Sequence, residues 1–231
     1  MIVVTGATKG IGRAIVERFA SEGLDAAVCA RNSAELDELK ALLQDKHGVR
    51  IHAIQADLSV RADIERFVNA VTRTGSPVKV LVNNAGRFVP GQLHSEPDGT
   101  LETMIETNLY SAYYVTRGLI GAMIARKEGH IFNISSIAAL AAYPNGGSYA
   151  VSKYALTGFS RCLREEVKAF GIKVTNVMPG ATYTESWKGT SLPEDRFASA
   201  ADIAEIVWAT SRLSSATVVE DIVVRPQLGD L

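Results

Sequence analysis

The chain has 231 residues, enough for one sizeable α/β domain and too few for a second substantial one. Its 24 basic and 25 acidic residues are interleaved and leave a net charge of −1, which gives no electrostatic footprint for nucleic acid or an anionic membrane. No apolar run reaches the roughly 18 residues of a membrane span, and a strand that begins at Ile2 leaves no room for a signal peptide, so a cytoplasmic protein is expected.

The first predicted elements are a short β-branched strand over Ile2–Thr5, the glycine-rich turn Thr5-Gly6-Ala7-Thr8-Lys9-Gly10-Ile11-Gly12, and a helix over Gly10–Ser21. Strand, glycine turn and helix is the context in which such glycines cradle a pyrophosphate. Gly6 would permit the tight turn, Gly10 a close approach of backbone to phosphate, and Gly12 the packing of helix on strand. The helix N-terminus adds free N–H groups and a positive dipole end. A glycine pattern alone also fits an ordinary loop.

Strand Asp25–Ala30 runs into Arg31-Asn32 with no acid at its end, and helix Ala34–Lys46 follows. Next come strand Arg50–Ala56 with Asp57-Leu58 behind it, helix Arg61–Arg73, and strand Lys79–Val82 leading into Asn83-Asn84-Ala85-Gly86. Two amides and a small pair at a strand end suit a bound ligand or a turn. The long helix Leu101–Arg126 contains Asn108, a poor interior residue because its amide competes for the backbone. It signals a kink or a deliberate polar contact.

Strand His130–Ser135 ends beside Ser136, and open α/β sheets receive ligands at the carboxyl ends of their strands. Helix Tyr149–Phe170 then opens with Tyr149-Ala150-Val151-Ser152-Lys153. The i and i+4 positions share a face, so phenol and ammonium can converge there. A nearby cation is expected to pull the phenol down from its ordinary pKa near 10. Strand Lys173–Met178, the pair Pro179-Gly180, a loop over 181–200, helix Ala201–Leu213 and strand Asp221–Arg225 complete the chain. Tyr183, Trp187 and Phe197 in that loop fit an apolar pocket lining and a packed-down loop equally. Cys29 and Cys162 lack metal-ligand or redox spacing and are expected to be buried free thiols. The regular alternation predicts a doubly wound parallel sheet with helices on both faces, a single domain over 1–231.

Taken together, these motifs resemble the short-chain dehydrogenase/reductase family across nearly the whole chain. The glycine motif matches Thr5 to Gly12, the Asn-Asn-Ala-Gly motif matches Asn83 to Gly86, and the Tyr-x-x-x-Lys motif matches Tyr149 and Lys153. Ser136 falls on the family's catalytic serine and Asn108 on its active-site asparagine. The resemblance implies a seven-stranded Rossmann sheet and hydride transfer between a nicotinamide and a carbonyl or secondary alcohol. Tyr149 would be the general acid/base and Ser136 would bind the reacting oxygen. Lys153 would serve both the tyrosine and the nicotinamide ribose, and Asn108 would position a water for proton resupply.

Cofactor contacts would come from Gly6, Thr8, Lys9, Gly10, Ile11, Gly12, Arg31, Asp57, Leu58, Asn84, Tyr149, Lys153, Pro179, Gly180 and Thr182. With no acid after the second strand, Arg31 and Lys9 point to NADP through its 2′-phosphate, although both also read as surface cations. Phe88 and Tyr143 are pocket candidates by family position. The short C-terminus resembles a branch that includes bacterial sepiapterin reductase-like proteins. The long helices at 101–126 and 149–170 carry apolar residues taken to lie outside the core, among them Leu109, Tyr113, Tyr114, Leu119, Met123, Leu156, Phe159 and Leu163. They predict a homodimer, with the tetramer in doubt. A non-catalytic NADP-binding sensor or scaffold is the alternative reading, since fold does not dictate function.

Overall fold

In the computed structural model, which describes residues 1–187 and 189–231 with Ser186 by backbone only, seven strands form one parallel sheet. The strands are β1 (Ile2–Thr5), β2 (Ala26–Ala30), β3 (Ile51–Gln55), β4 (Val80–Asn83), β5 (Gly129–Ile134), β6 (Ile172–Pro179) and β7 (Asp221–Val224). Their spatial order is 3-2-1-4-5-6-7, all parallel, so the direction of winding reverses between β1 and β4. A crevice at such a reversal, outside the carboxyl ends of the strands, is where doubly wound sheets hold ligands.

The helices are α1 (Gly10–Ala20), α2 (Ser33–His47), α3 (Arg61–Arg73), α4 (Thr100–Ile105), α5 (Ser111–Arg126), α6 (Gly147–Val167) and α7 (Ala200–Ser211). Because strand side chains alternate, each β-branched strand feeds two cores. Ile2, Val4, Val28, Val82 and Phe132 pack under Ile15 and Phe19 of α1, Leu39 of α2 and Val207 of α7. Val3, Leu81, Ile131 and Val174 pack under Phe67 of α3, Met123 of α5 and Leu163 of α6. No helix among the described residues is long and apolar enough to cross a membrane.

The helix predicted over 101–126 is continuous, with a π-helical turn at Glu106–Tyr110 around Asn108, whose amide is used elsewhere. Two expectations are corrected here. Cys29 is buried, but Cys162 is exposed, because its position on α6 faces away from the sheet. Leu119, Met123, Leu156 and Leu163 face the core rather than solvent. The exposed large side chains over these two stretches are Leu101, Tyr110, Val151, Tyr154 and Phe170.

Candidate active site

The β1–α1 turn depends on its glycines. Gly6 and Gly10 adopt positive φ (65° and 53°), a region L side chains avoid. A Cβ on Gly12 would collide with the Gly6 carbonyl oxygen and the Asn84 amide, so the helix packs against the turn itself. Asn84 closes the other side. Its Nδ2 donates to the carbonyls of Thr5 and Gly6 at 2.9 Å each, while Thr5 Oγ1 accepts from the backbone N–H of Asn84 (3.0 Å) and Ala85 (2.9 Å). This lattice joins β1 and β4 at the reversal point. It also commits the Asn84 amide N–H donors to structure.

The first turn of α1 carries no side-chain cap. Its N–H groups, with Lys9, Arg31 and the Thr8 hydroxyl around them, form a donor set suited to a phosphorylated, anionic ligand. Asp57 lies at the end of β3, where its carboxylate accepts from Ser59 N–H (3.0 Å) and Ser59 Oγ (2.7 Å). Leu58 is packed into the core, so any ligand contact there is by backbone. Pro179 ends β6, Gly180 N–H donates to the Val224 carbonyl at 2.7 Å, and buried Thr182 donates to the Gly180 carbonyl at 3.0 Å. Ile11, in the first turn of α1, is half-buried.

Three predicted side chains meet beyond the end of β5. Ser136 hydrogen-bonds the Tyr149 phenol, and its Oγ accepts from Ala138 N–H at 3.1 Å. Lys153 Nζ lies 5.7 Å from the Tyr149 ring centroid and donates to the Ile134 carbonyl at 2.9 Å. The Phe88 ring stands edge-on to Tyr149 at 4.8 Å between centroids. Tyr143 is half-exposed.

Burial governs the titration of the pair. It pushes the Tyr149 phenol up to about 12, with the Ser136 hydrogen bond pulling the other way and Tyr143 adding a further rise. It also pulls the Lys153 ammonium down to about 8. The expected lowering of Tyr149 by Lys153 is therefore not found. The lysine is directed to a strand carbonyl, and desolvation of the phenol outweighs the remaining influences.

Asn108 makes the polar contact its position suggested. Its Oδ1 accepts from Arg87 N–H at 2.7 Å, and its Nδ2 donates to the Arg87 carbonyl at 3.0 Å and to Ser152 Oγ at 2.8 Å. It thus ties the segment after Asn-Ala-Gly to the turn of α6 that lies between Tyr149 and Lys153. The π-turn gives a one-residue offset that lets a helical amide reach both partners, a use common for such turns at functional sites.

In the loop after β6, Phe197 is buried and packs at a tilt against the rings of Tyr183 (5.5 Å) and Trp187 (5.0 Å between centroids). The aromatics hold the loop together. Thr184 lies against Gly10, where a Cβ would stand 3.0 Å from its methyl, so this loop sits over the glycine turn.

Sequence reasoning missed two acids. Glu96 accepts from Ser148 N–H at 2.9 Å and from the Ser148 hydroxyl, and so caps the helix that carries Tyr149. No spacing in the sequence signals it. Glu35 pairs with Lys9 at 2.8 Å. Asn32 followed by Glu35 has the N-cap and N3 pattern of a capped helix start, which signals the helix but not a partner on the neighbouring turn.

A sequence profile described as short chain dehydrogenase matches residues 1–195. The chain belongs to the short-chain dehydrogenase family. The sepiapterin reductase of Chlorobaculum tepidum is 31% identical over 239 residues, covering 100% of this chain and 98% of the relative. An NADP-dependent 3-hydroxy acid dehydrogenase of Escherichia coli is 30% identical over 243 residues, covering 98% of this chain and 94% of that protein. Among solved structures, the alcohol dehydrogenase of Thermococcus sibiricus complexed with 5-hydroxy-NADP matches with a TM-score of 0.90 at 25% identity, covering 98% of this chain and 96% of that one. The short-chain dehydrogenases are oxidoreductases, and the seven-stranded sheet seen here is theirs.

Proposed function

We propose that this short-chain dehydrogenase is an NADP-dependent carbonyl reductase, acting on a carbonyl or secondary alcohol of a small to medium-sized substrate. The observation that carries the reading is the convergence of Ser136, Tyr149 and Lys153 at the carboxyl end of β5. Titratable groups gathered in a ligand crevice with displaced pKa values favour catalysis over a passive binding role.

The uncapped turn over Gly6, Thr8, Lys9, Gly10, Ile11 and Gly12 would hold the pyrophosphate, and Arg31 with Lys9 the 2′-phosphate. Asp57 and Leu58 would face the adenine. Asn84, Pro179, Gly180, Thr182 and Lys153 would serve the nicotinamide half. When bound, NADP would supply or accept the hydride. Tyr149 Oη gives its proton to the substrate oxygen as charge develops there. Ser136 Oγ–H donates to the same oxygen and stabilises that charge. Asn108 positions α6 and the loop after Gly86 through Ser152 and Arg87. Tyr110 on the π-turn before α5, with Val151 and Tyr154 on α6, are exposed apolar side chains that support a homodimer.

The test is a panel of ketones and aldehydes reduced with NADPH, monitored by its absorbance. Turnover by the wild type and a loss of about 100-fold or more in Tyr149→Phe are expected, with NADPH binding retained. Tight NADPH binding without turnover of any panel member would favour a sensor instead.

A further inference from the structure

Glu35 stands where no acid was expected. The β1–α1 and β2–α2 turns lie side by side at the carboxyl edge of the sheet, the first carrying Lys9 and the second Arg31. From the first turn of α2, Glu35 Oε1 reaches across to Lys9 Nζ at 2.8 Å. Asn32 Nδ2 donates to the same oxygen at 3.1 Å, and the Thr8 hydroxyl also hydrogen-bonds the carboxylate. Asn32 Oδ1 meanwhile caps the helix through Ala34 N–H (3.0 Å) and Glu35 N–H (3.3 Å). The carboxylate is therefore not needed for that cap and is turned toward the neighbouring turn. Arg31 is near enough to Lys9 for its charge to be felt there.

We propose that Glu35 is a specificity-determining residue of the cofactor site, holding Lys9 in an ion pair that the 2′-phosphate of NADP must displace. The inference rests on the reading that Lys9 and Arg31 receive that phosphate. A carboxylate and a phosphate dianion compete for one ammonium, and side by side they repel. The ribose 2′-hydroxyl of NAD, in contrast, can donate to the carboxylate while the pair with Lys9 stays intact. Glu35 thus acts against the phosphate and tolerates the hydroxyl, and it moderates a preference that Arg31 alone would set. Lys9 is about half exposed (52%), so the effect is that of a solvated pair.

The test is a fluorescence titration of NADPH and of NADH against wild type, Glu35→Gln, Lys9→Ala, Arg31→Ala and the Glu35→Gln/Lys9→Ala double variant. Glu35→Gln keeps size and hydrogen-bonding capacity on the surface, where the fold tolerates change. It is expected to tighten NADPH about two- to fivefold, the scale of an exposed charge pair, with NADH moving less. That gain should shrink in the Lys9→Ala background, where the competition for Lys9 is gone and only the direct repulsion remains. An unchanged or weaker NADPH affinity in Glu35→Gln would overturn the proposal, as would an equal gain without Lys9. Failure of the underlying reading looks different: Lys9→Ala and Arg31→Ala would both leave the NADPH to NADH ratio at its wild-type value.

Discussion

On the face covered by α1, α2 and α7 the sheet offers Ile2, Val4, Val28, Val82 and Phe132, whereas under α3, α5 and α6 the apolar rows include amides from three neighbouring strands. Asn83 donates to Asn133 Oδ1 (2.8 Å) and to Thr116 Oγ1 of α5 (2.9 Å). Asn133 in turn donates to Ser160 Oγ of α6 (2.8 Å). Asn176 reaches Thr157 of α6 (3.3 Å) and Asp221 of β7 (3.2 Å). Ser135 Oγ donates to the Lys153 carbonyl (3.2 Å) and meets Thr157 Oγ1 (3.0 Å). Apolar packing is non-directional and tolerates small slides of a helix. Hydrogen bonds fix distance and angle, so the polar rungs set where α6 sits on the sheet and where Tyr149 and Lys153 point.

Breaking the apolar face should therefore cost stability and spare chemistry. Phe19 is fully buried, with its ring edge-on to Trp208 at 5.0 Å. Phe19→Ala is expected to lower unfolding free energy by about 3–5 kcal/mol. Turnover per folded molecule should stay within about twofold of wild type, since no rung is touched. Denaturant unfolding alongside kinetics on the folded fraction checks both. A matching fall in kcat would show that the two faces are not separable.

Lys153, on the polar face, should behave in the opposite way. Burial depresses its ammonium from 10.5 to about 8, so between those values the unfolded chain binds a proton that the folded one does not. Stability then rises with pH from about 8 toward 10.5, and below pH 8 the buried charge costs about 3 kcal/mol. Lys153→Met should remove that slope, leave the protein more stable than wild type at pH 7, and abolish turnover. Urea unfolding of the cofactor-free protein from pH 7 to 10 reads the slope. The range stops there because Tyr149, raised to about 12, contributes with opposite sign above pH 10. A wild-type stability flat across that window would mean the ammonium is better solvated than its surroundings indicate.

Much of this division was written locally in the sequence, and some was not. Strand cores such as Val80-Leu81-Val82 and the glycine turn after β1 are decided by neighbouring residues, so the parallel sheet and the positions of Ser136, Tyr149 and Lys153 were readable. The helix at 101–126 runs as read, but the form of the irregularity that Asn108 signalled was not legible, because Asn108 bonds Arg87 and Ser152, partners distant in sequence. Leu119 and Leu163 were assigned outward, because periodicity gives a helix a face without saying which neighbour covers it. The sign of the Tyr149 shift depends on how deeply the phenol is buried, and spacing to Lys153 carries no information about burial. Glu35 and Glu96 act across loops on Lys9 and Ser148, so only the folded chain brings them into view.

The finest test of the comparison is a rung that touches neither substrate nor cofactor. Asn133 bridges β4 and α6, accepting from Asn83 and donating to Ser160, whose hydroxyl donates onward to the Leu156 carbonyl at 2.8 Å. Asn133→Ala would leave the buried donor of Asn83 with Thr116 as its partner and would remove the donor that Ser160 Oγ receives from Asn133. The expected loss of stability is about 1–3 kcal/mol, below that of Phe19→Ala. The kinetic signature should nevertheless be larger than for Phe19→Ala. With α6 free to shift on the sheet, kcat should fall about tenfold, while NADPH affinity, proposed to come mainly from the turn at Gly6 to Gly12, should fall less. Asn133→Ser keeps a donor and should recover part of that kcat. A merely structural role would lower the folded fraction and leave kcat of the folded enzyme untouched, so that result would place the aiming of Tyr149 elsewhere, with Glu96 at the N-terminus of α6 the next residue to test.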